Sequence, residues 1–356
     1  MKPILSRLKN LRIYSPVTRA CAAMALLVAS AIPAAAQSAV SIVKQDSQPK
    51  EDFRMSAGVF NRLGVGLNVG TTGLGLELST PVTPWVRIRA GVDWVPRFNI
   101  PMKFNLTAYS DGGAGPVNNG NFGKVQELME GLTGFTVDEQ VVMDSRPTIT
   151  TFRFMADVYP FKGKGWRLTV GFFAGGRTVG KTLNSIYEMP TLLTVGMYNR
   201  LYDYAKETEP WDFKFPEFVT NITGDAYLDP EVAQKLKNRL EKYGRLGMHI
   251  GDFKDGTPYI MEPDKDGTVS ARAIVNAVRP YVGVGYDGAI SKDGRWTAGF
   301  DLGVQFWGGA PKVLTHDGTD LTELINVRGK VGDYLSLMRG LPVYPTAAFR
   351  LSYTFF

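Results

Sequence analysis

The chain reads as an all-β protein, an eight-stranded antiparallel transmembrane β-barrel with long, partly helical extracellular loops. Three observations predict this. Apolar residues recur at period two in eight separate segments, the signature of strands with one apolar face. The opposite faces carry glycine and charge, where a soluble sheet would carry long polar side chains. The connections also sort by length: those after the second, fourth and sixth strands are short, and those after the third, fifth and seventh are long, as in barrels whose turns face the periplasm and whose loops face outward.

The N-terminal segment stands apart. Residues 1–36 carry Lys2, Arg7, Lys9, Arg12 and Arg19, then an uncharged run from Ala20 that closes on Ala34-Ala35-Ala36. This is the layout of a secretory signal peptide cleaved after Ala36. The alternative is a retained inner-membrane anchor; the shortness of the segment, its alanine content and its cleavage pattern argue against it. The 356-residue chain has net charge +6, and the five cations of the leader account for all but +1 of it. No nucleic-acid partner follows from the basic balance. The one cysteine, Cys21, lies in the leader, so the mature chain is expected to have no disulfide framework and no thiolate chemistry. After Ala36 no run of about 18 apolar residues occurs, which leaves strands as the means of crossing a membrane. Residues 37–58 are polar and aperiodic, a periplasmic lead-in, and residues 59–356 form the barrel unit.

The first two strands are a hairpin. Leu63, Val65, Leu67 and Val69 alternate with Gly64, Gly66, Asn68 and Gly70; after Thr71-Thr72-Gly73, Leu74, Leu76 and Leu78 alternate with Gly75, Glu77 and Ser79. Glycine on the second face suits a crowded barrel interior, where it makes room for the long side chains of neighbours. The third strand, from Trp85 to about Phe98, sets Val86, Ile88, Ala90, Val92 and Trp94 against Arg87, Arg89, Gly91 and Asp93. A long outer loop, about 99–147, contains a short helix with Val125, Leu128, Met129 and Leu132 at helical spacing and Gly134 at its end. The fourth strand (about 148–161) and the fifth (from Trp166) place Arg153, Met155, Asp157, Tyr159, Arg167, Thr169 and then Arg177 opposite an apolar row. The second loop, about 180–270, holds a helix with Asp229 as N-cap, Pro230 at its first position and Gly244 after its end, and a weaker helix around 191–206. The sixth strand, from about Val269, runs to Tyr286 and ends in an Asp287–Gly294 turn. The seventh starts at Trp296. A third loop, about 308–342, contains a helix near 331–339, and Ala347 to Phe356 closes the barrel.

With the aliphatic faces outward, the interior collects Glu77, Arg87, Arg89, Asp93, Arg153, Asp157, Arg167, Arg177, Arg279, Asp301 and Arg350. An eight-stranded barrel has an interior about wide enough for side chains to fill. Isolated charges there are costly, so the set is expected to pair into a plug. Seven arginines face four carboxylates, and that excess keeps an anion-preferring channel as the alternative. Trp85, Trp166, Trp296 and Phe355 fall near the periplasmic ends of strands and Trp94 near an outer end, as an interfacial girdle. Tyr353, Phe355 and Phe356 form the expected C-terminal insertion signal.

Little in the sequence points to catalysis or to a cofactor. The two histidines, His249 and His316, lie in outer loops. His316-Asp317 is an adjacent pair with no nucleophile placed beside it. Pro263-Asp264-Lys265-Asp266-Gly267 has the look of a calcium loop, but its twelfth position is Ala273 in place of the bidentate glutamate, and an Asp-Gly turn is the simpler reading.

The segment from Leu63 to Pro81, with Trp85-Val-Arg-Ile-Arg-Ala-Gly-Val, resembles the opening of Bacteroidetes-type outer-membrane β-barrel proteins. Arg279-Pro-Tyr-Val-Gly-Val-Gly-Tyr and the aromatic C-terminus are similar to later strands of that group. One departure is phase, since Phe355 lies on the lipid-facing register and Phe356 one residue beyond. The resemblance covers most strands and little of the loops. It implies a small barrel in the outer membrane of a Gram-negative cell, and it brings no catalytic residues and no cofactor. The expected partners are outer-membrane lipid, the barrel-assembly machinery and a protein or glycan ligand at the outer loops. The leading expectation is a non-enzymatic surface module for binding, adhesion or complex formation. A narrow channel or small-molecule transporter, and a barrel enzyme, are the alternatives.

Overall fold

The computed structural model describes residues 62–109, 120–161, 164–214, 228–327, 329–340 and 342–355. The expected signal peptide and lead-in, and Phe356 of the expected insertion signal, lie outside the described residues. In chain order the strands are β1 (Gly64–Gly70), β2 (Gly73–Thr83), β3 (Val86–Trp94), β4 (Ile100–Tyr109), β5 (Gln140–Pro147), β6 (Thr150–Val158), β7 (Trp166–Gly175) and β8 (Thr178–Asn184). They continue with β9 (Arg245–Asp252), β10 (Pro258–Met261), β11 (Ser270–Ile274), β12 (Val278–Ala289), β13 (Trp296–Phe306), β14 (Lys312–Thr315) and β15 (Val343–Thr354). The α-helices are α1 (Gly120–Thr133), α2 (Met189–Glu207), α3 (Pro230–Tyr243) and α4 (Gly329–Arg339).

Eight of these strands close into an antiparallel barrel in the order β1-β15-β13-β12-β7-β6-β3-β2. The seam joins β1 to β15 from Gly64↔Thr354 to Gly70↔Ala348. Burial follows the two-residue alternation of the sequence. Leu67, Leu76, Val92, Phe152, Val170, Val282, Leu302 and Phe349 lie exposed on the outer face, while Glu77, Arg89, Asp157, Thr169 and Arg350 are buried inside. Trp85, Trp166, Trp296 and Phe355 are exposed at one end of the barrel and Trp94 at the other. At the β1–β2 turn Gly73 takes φ +96°, where a side chain would be strained. A Cβ on Gly75 would collide with Asp93 Oδ1, so that glycine makes space for a carboxylate.

The outer segments are more ordered than loops. They contain a second, seven-stranded sheet, β10-β9-β4-β5-β8-β11-β14. Several of its strands prolong barrel strands past the rim. Val95 N–H donates to Ile149, Thr148 N–H to Val179 and Val275 N–H to Arg177, so pairing runs through the neck between barrel and sheet. The third strand therefore ends at Trp94, and the expected sixth strand is two strands, β11 and β12, either side of that neck.

All four described helices contribute to a core against one face of the outer sheet. Leu106, Val141, Met143, Leu246, Met248 and Ile250 from the strands meet Val125, Met129, Leu192, Val195, Tyr198, Leu240 and Leu335 from the helices. The helix signals act as expected. Asp229 Oδ1 accepts from Glu231 N–H at 2.9 Å, and Gly244 at φ +75° ends α3 with its N–H on the Leu240 carbonyl. The helix around 191–206 runs Met189–Glu207 and is the most deeply packed, with nine buried residues. Its Asn199 is a clamp: Nδ2 donates to the Leu246 carbonyl at 2.8 Å and Oδ1 accepts Leu246 N–H at 2.9 Å. Asn199→Ala leaves both backbone groups unpaired and should loosen the outer unit by about 1–3 kcal/mol. Limited proteolysis checks this: cleavage should speed up within 180–270 and leave the barrel strands intact.

Candidate functional site

The interior side chains of the barrel form one continuous ion-pair network. Glu77 on β2 is one hub. Its Oε2 accepts from Arg153 at 2.8 Å and from Arg89 at 3.3 Å, and its Oε1 accepts from Arg350 at 3.0 Å. Arg89 on β3 reaches Asp157 through Nε at 2.7 Å and Asp301 through Nη2 at 3.2 Å. Arg167 on β7 donates to Asp301 at 2.6 Å, to Thr169 Oγ1 at 2.8 Å and to Asp157 at 3.2 Å. Asp287 is the second hub. It accepts from Arg167 Nε at 3.1 Å, from the Tyr159 hydroxyl at 2.8 Å and from Arg350, with Arg87 at 3.8 Å. Nearer the outer end, Asp93 accepts from Asn68 at 3.1 Å and pairs with Arg153 at 3.4 Å.

Two adjustments to the sequence reading settle the charge excess. Arg177 is not interior. It lies exposed on a bend between β7 and β8, where the chain leaves the barrel and the alternation breaks. Asp287 belongs inside: it continues the row Arg279, Tyr281, Gly283, Gly285 on β12, and only its place beside the turn hid it. Among the described residues the buried charged set is then six arginines and five carboxylates. The remaining cation is Arg279, buried near the outer end, with Nε and Nη2 lacking a protein partner. An apolar cluster of Met155, Phe173 and Tyr281 fills a further part of the interior, with the Phe173 and Tyr281 rings edge to face at 5.6 Å.

In the outer unit, His316, Asp317 and His249 are all engaged by neighbouring groups. His316 is held at both ring nitrogens: Nε2–H donates to the Glu262 carbonyl at 3.0 Å, and Nδ1 accepts Ser270 N–H at 3.5 Å. Asp317 is turned away from it, accepting from the Tyr259 hydroxyl at 2.7 Å and from Thr319 N–H at 3.0 Å. Partial burial would raise the Asp317 carboxyl, but these donors and the Thr315 hydroxyl hold it below the usual range. Burial, with Asp317 beside it, pushes the Tyr259 phenol up. His249 pairs with Asp252 at 2.9 Å. The Asp264–Gly267 segment is a turn closed by Gly267 N–H on the Asp264 carbonyl at 2.8 Å. Among the described residues no group of three or more His, Cys, Asp or Glu side chains is placed to hold a metal.

Among the described residues, cavities in the outer unit include two of note. One of about 90 Å³ lies under α4 and is lined by Met102, Phe104, Met143, Met261, Leu335 and Met338. The other, a groove of about 580 Å³, lies at the neck and is lined by Arg97, Asp144, Arg146, Thr148, Lys181 and Arg272 among others.

No protein-family model matches the chain, and no curated protein matches its sequence. Solved structures of similar architecture include Acinetobacter baumannii CarO2, at 13% identity and a TM-score of 0.34 over 83% of this chain and 99% of that one. Acinetobacter baumannii CarO matches at 13% identity and 0.31, over 82% and 97%. A major outer membrane protein from Thermus thermophilus matches at 10% and 0.29, over 83% and 99%. These superpositions are loose, and the eight-stranded barrel stands on the strand pairing of this chain itself.

Proposed function

We propose that the chain is an outer-membrane β-barrel that does not conduct and that carries a folded external platform for binding, adhesion or complex formation. The observation that carries this reading is the filled interior. Each of Arg89, Arg153, Arg167 and Arg350 contacts at least two carboxylates, and an apolar cluster adds to the filling. A path for ions through this packing would require buried charges to part. The exposed aliphatic belt and the aromatic ends support a position in a bilayer, with the short connections on the periplasmic side. The platform has its own sheet and core, more than a plugged anchor needs. Export by a cleaved leader and insertion through the assembly machinery by way of Tyr353, Phe355 and Phe356 complete the reading. The engaged state of His316 and Asp317 supports a non-enzymatic role.

A narrow anion-preferring channel is the second reading, and Arg279 is the observation that favours it: an uncompensated cation near the outer mouth. Planar-bilayer recording separates the two. Purified, folded protein should give no steady openings at high salt; regular anion-selective steps that change on Arg279→Ala would overturn the plugged reading.

A further inference from the structure

On the face of the outer sheet opposite the helices, Arg146 on β5 stands directly across from Lys181 on β8, and Lys181 stands directly across from Arg272 on β11. Like charges in directly opposed cross-strand positions destabilise a sheet. All three side chains are exposed. Arg97 lines the same groove from the segment between β3 and β4, and Asp144 is the one carboxylate among the described lining residues. Among the described residues no ion pair or hydrogen bond neutralises any of the four cations. A row of this kind is explained by a counter-anion that sits outside the chain.

The position of the row identifies the anion. Strand alternation carries the barrel's outer face into this groove. On β5–β6 the outward row reads Phe154, Phe152, Thr150, Thr148, Arg146. On β11–β12 it reads Val284, Val282, Pro280, Val278, Asn276, Ile274, Arg272. The neck hydrogen bonds keep both in phase, with Gly175 N–H on the Ala277 carbonyl and Thr148 N–H on the Val179 carbonyl. On β7–β8 the register shift at Val179 brings Lys181 onto the same side. Each strand therefore passes from an apolar belt through one or two uncharged residues to a cation. The step from Thr150 to Arg146 is about 13 Å along the strand. With strand tilt this lifts the cations to about the depth of the polar layer that borders the hydrocarbon core.

We infer that this groove binds the phosphate groups of a phosphorylated glycolipid in the outer leaflet, its acyl chains lying along the aliphatic outer faces of β6, β7 and β12. Arginine forks grip phosphate bidentately and lysine adds a point charge. Ser270 lines the same groove and brings a hydroxyl that can donate to a remaining oxygen. The inference rests on the membrane reading given above.

The test uses the full chain folded into neutral phosphocholine nanodiscs, titrated with diphosphorylated lipid A, with the same lipid after enzymatic dephosphorylation, and with inorganic phosphate alone. Wild type should take up the phosphorylated lipid, the dephosphorylated lipid no better than bulk phosphocholine, and inorganic phosphate only weakly. In the variant R146E/K181E/R272E the preference should fall by on the order of a hundredfold. Equal uptake of the two lipids by wild type overturns the assignment, and because that arm needs no variant it decides the matter even if the variant does not fold. Inorganic phosphate binding as tightly as the lipid would also overturn it, in favour of a soluble anion. Heat-modifiable migration of the same wild-type sample keeps the two readings apart. A chain that never inserts sinks the membrane reading, and one that inserts without preferring phosphate sinks the groove alone.

Discussion

Glu77→Ala should cost the barrel about 3–5 kcal/mol, the scale seen when one partner is removed from a buried charge cluster. Three guanidinium groups, those of Arg89, Arg153 and Arg350, lose a shared carboxylate. Each of the three side chains is nearly fully buried, so water cannot take over. Urea unfolding in phosphocholine vesicles, followed by tryptophan fluorescence, measures the effect as a lowered midpoint. The size of the loss also discriminates between readings. In a water-filled pore the same arginines would be solvated, and the loss would fall below about 1 kcal/mol, as for exposed pairs. A midpoint that does not move would refute the interlocked interior.

Asp287→Ala should be comparably severe, about 3–5 kcal/mol by the same logic. Asp287 holds Arg167 at 3.1 Å and the Tyr159 hydroxyl at 2.8 Å, and it pairs with Arg350. The informative measurement is the double variant with Arg350→Ala. Once its anion is gone, Arg350 is a buried cation with less to hold it, so removing it as well should return part of the loss. A coupling of about 1–3 kcal/mol is expected for residues in one network. Strict additivity would mean that the two act independently, contrary to the geometry.

Asp287 also shows why part of this site was hard to read in the sequence. Its parity on β12 is right for the interior, but Asp followed by Gly before a second strand is also a hairpin turn signal, and the local cue outweighed the periodic one. Arg177 failed the other way. It keeps the parity of Arg167, but the barrel strand stops at Gly175, and alternation means nothing past the end of a ladder. The eight barrel strands were legible because each pairs with the next barrel strand along the chain except at the seam, and each alternates over seven residues or more. The outer sheet was not. β10 has four residues, β11 five and β14 four, and β4 pairs with the distant β9. Short runs such as Lys312–Thr315 carry too little periodicity to stand out from a loop. The helices of that region were visible all the same, because caps such as Asp229 and Gly244 are local signals that need no partner.

The seam bears on how the barrel comes together. Arg350 rides on β15, the strand that must meet β1, and it serves carboxylates on both β2 and β12. Until β15 docks, Glu77 and Asp287 each lack one of their cations, and both hubs of the half-built sheet are incompletely paired. Docking completes both in one event, together with the seven residue pairs of the seam. The half-open intermediate is thereby made a poor resting place, and closure becomes closer to all-or-none than hydrogen bonding between strands alone would make it.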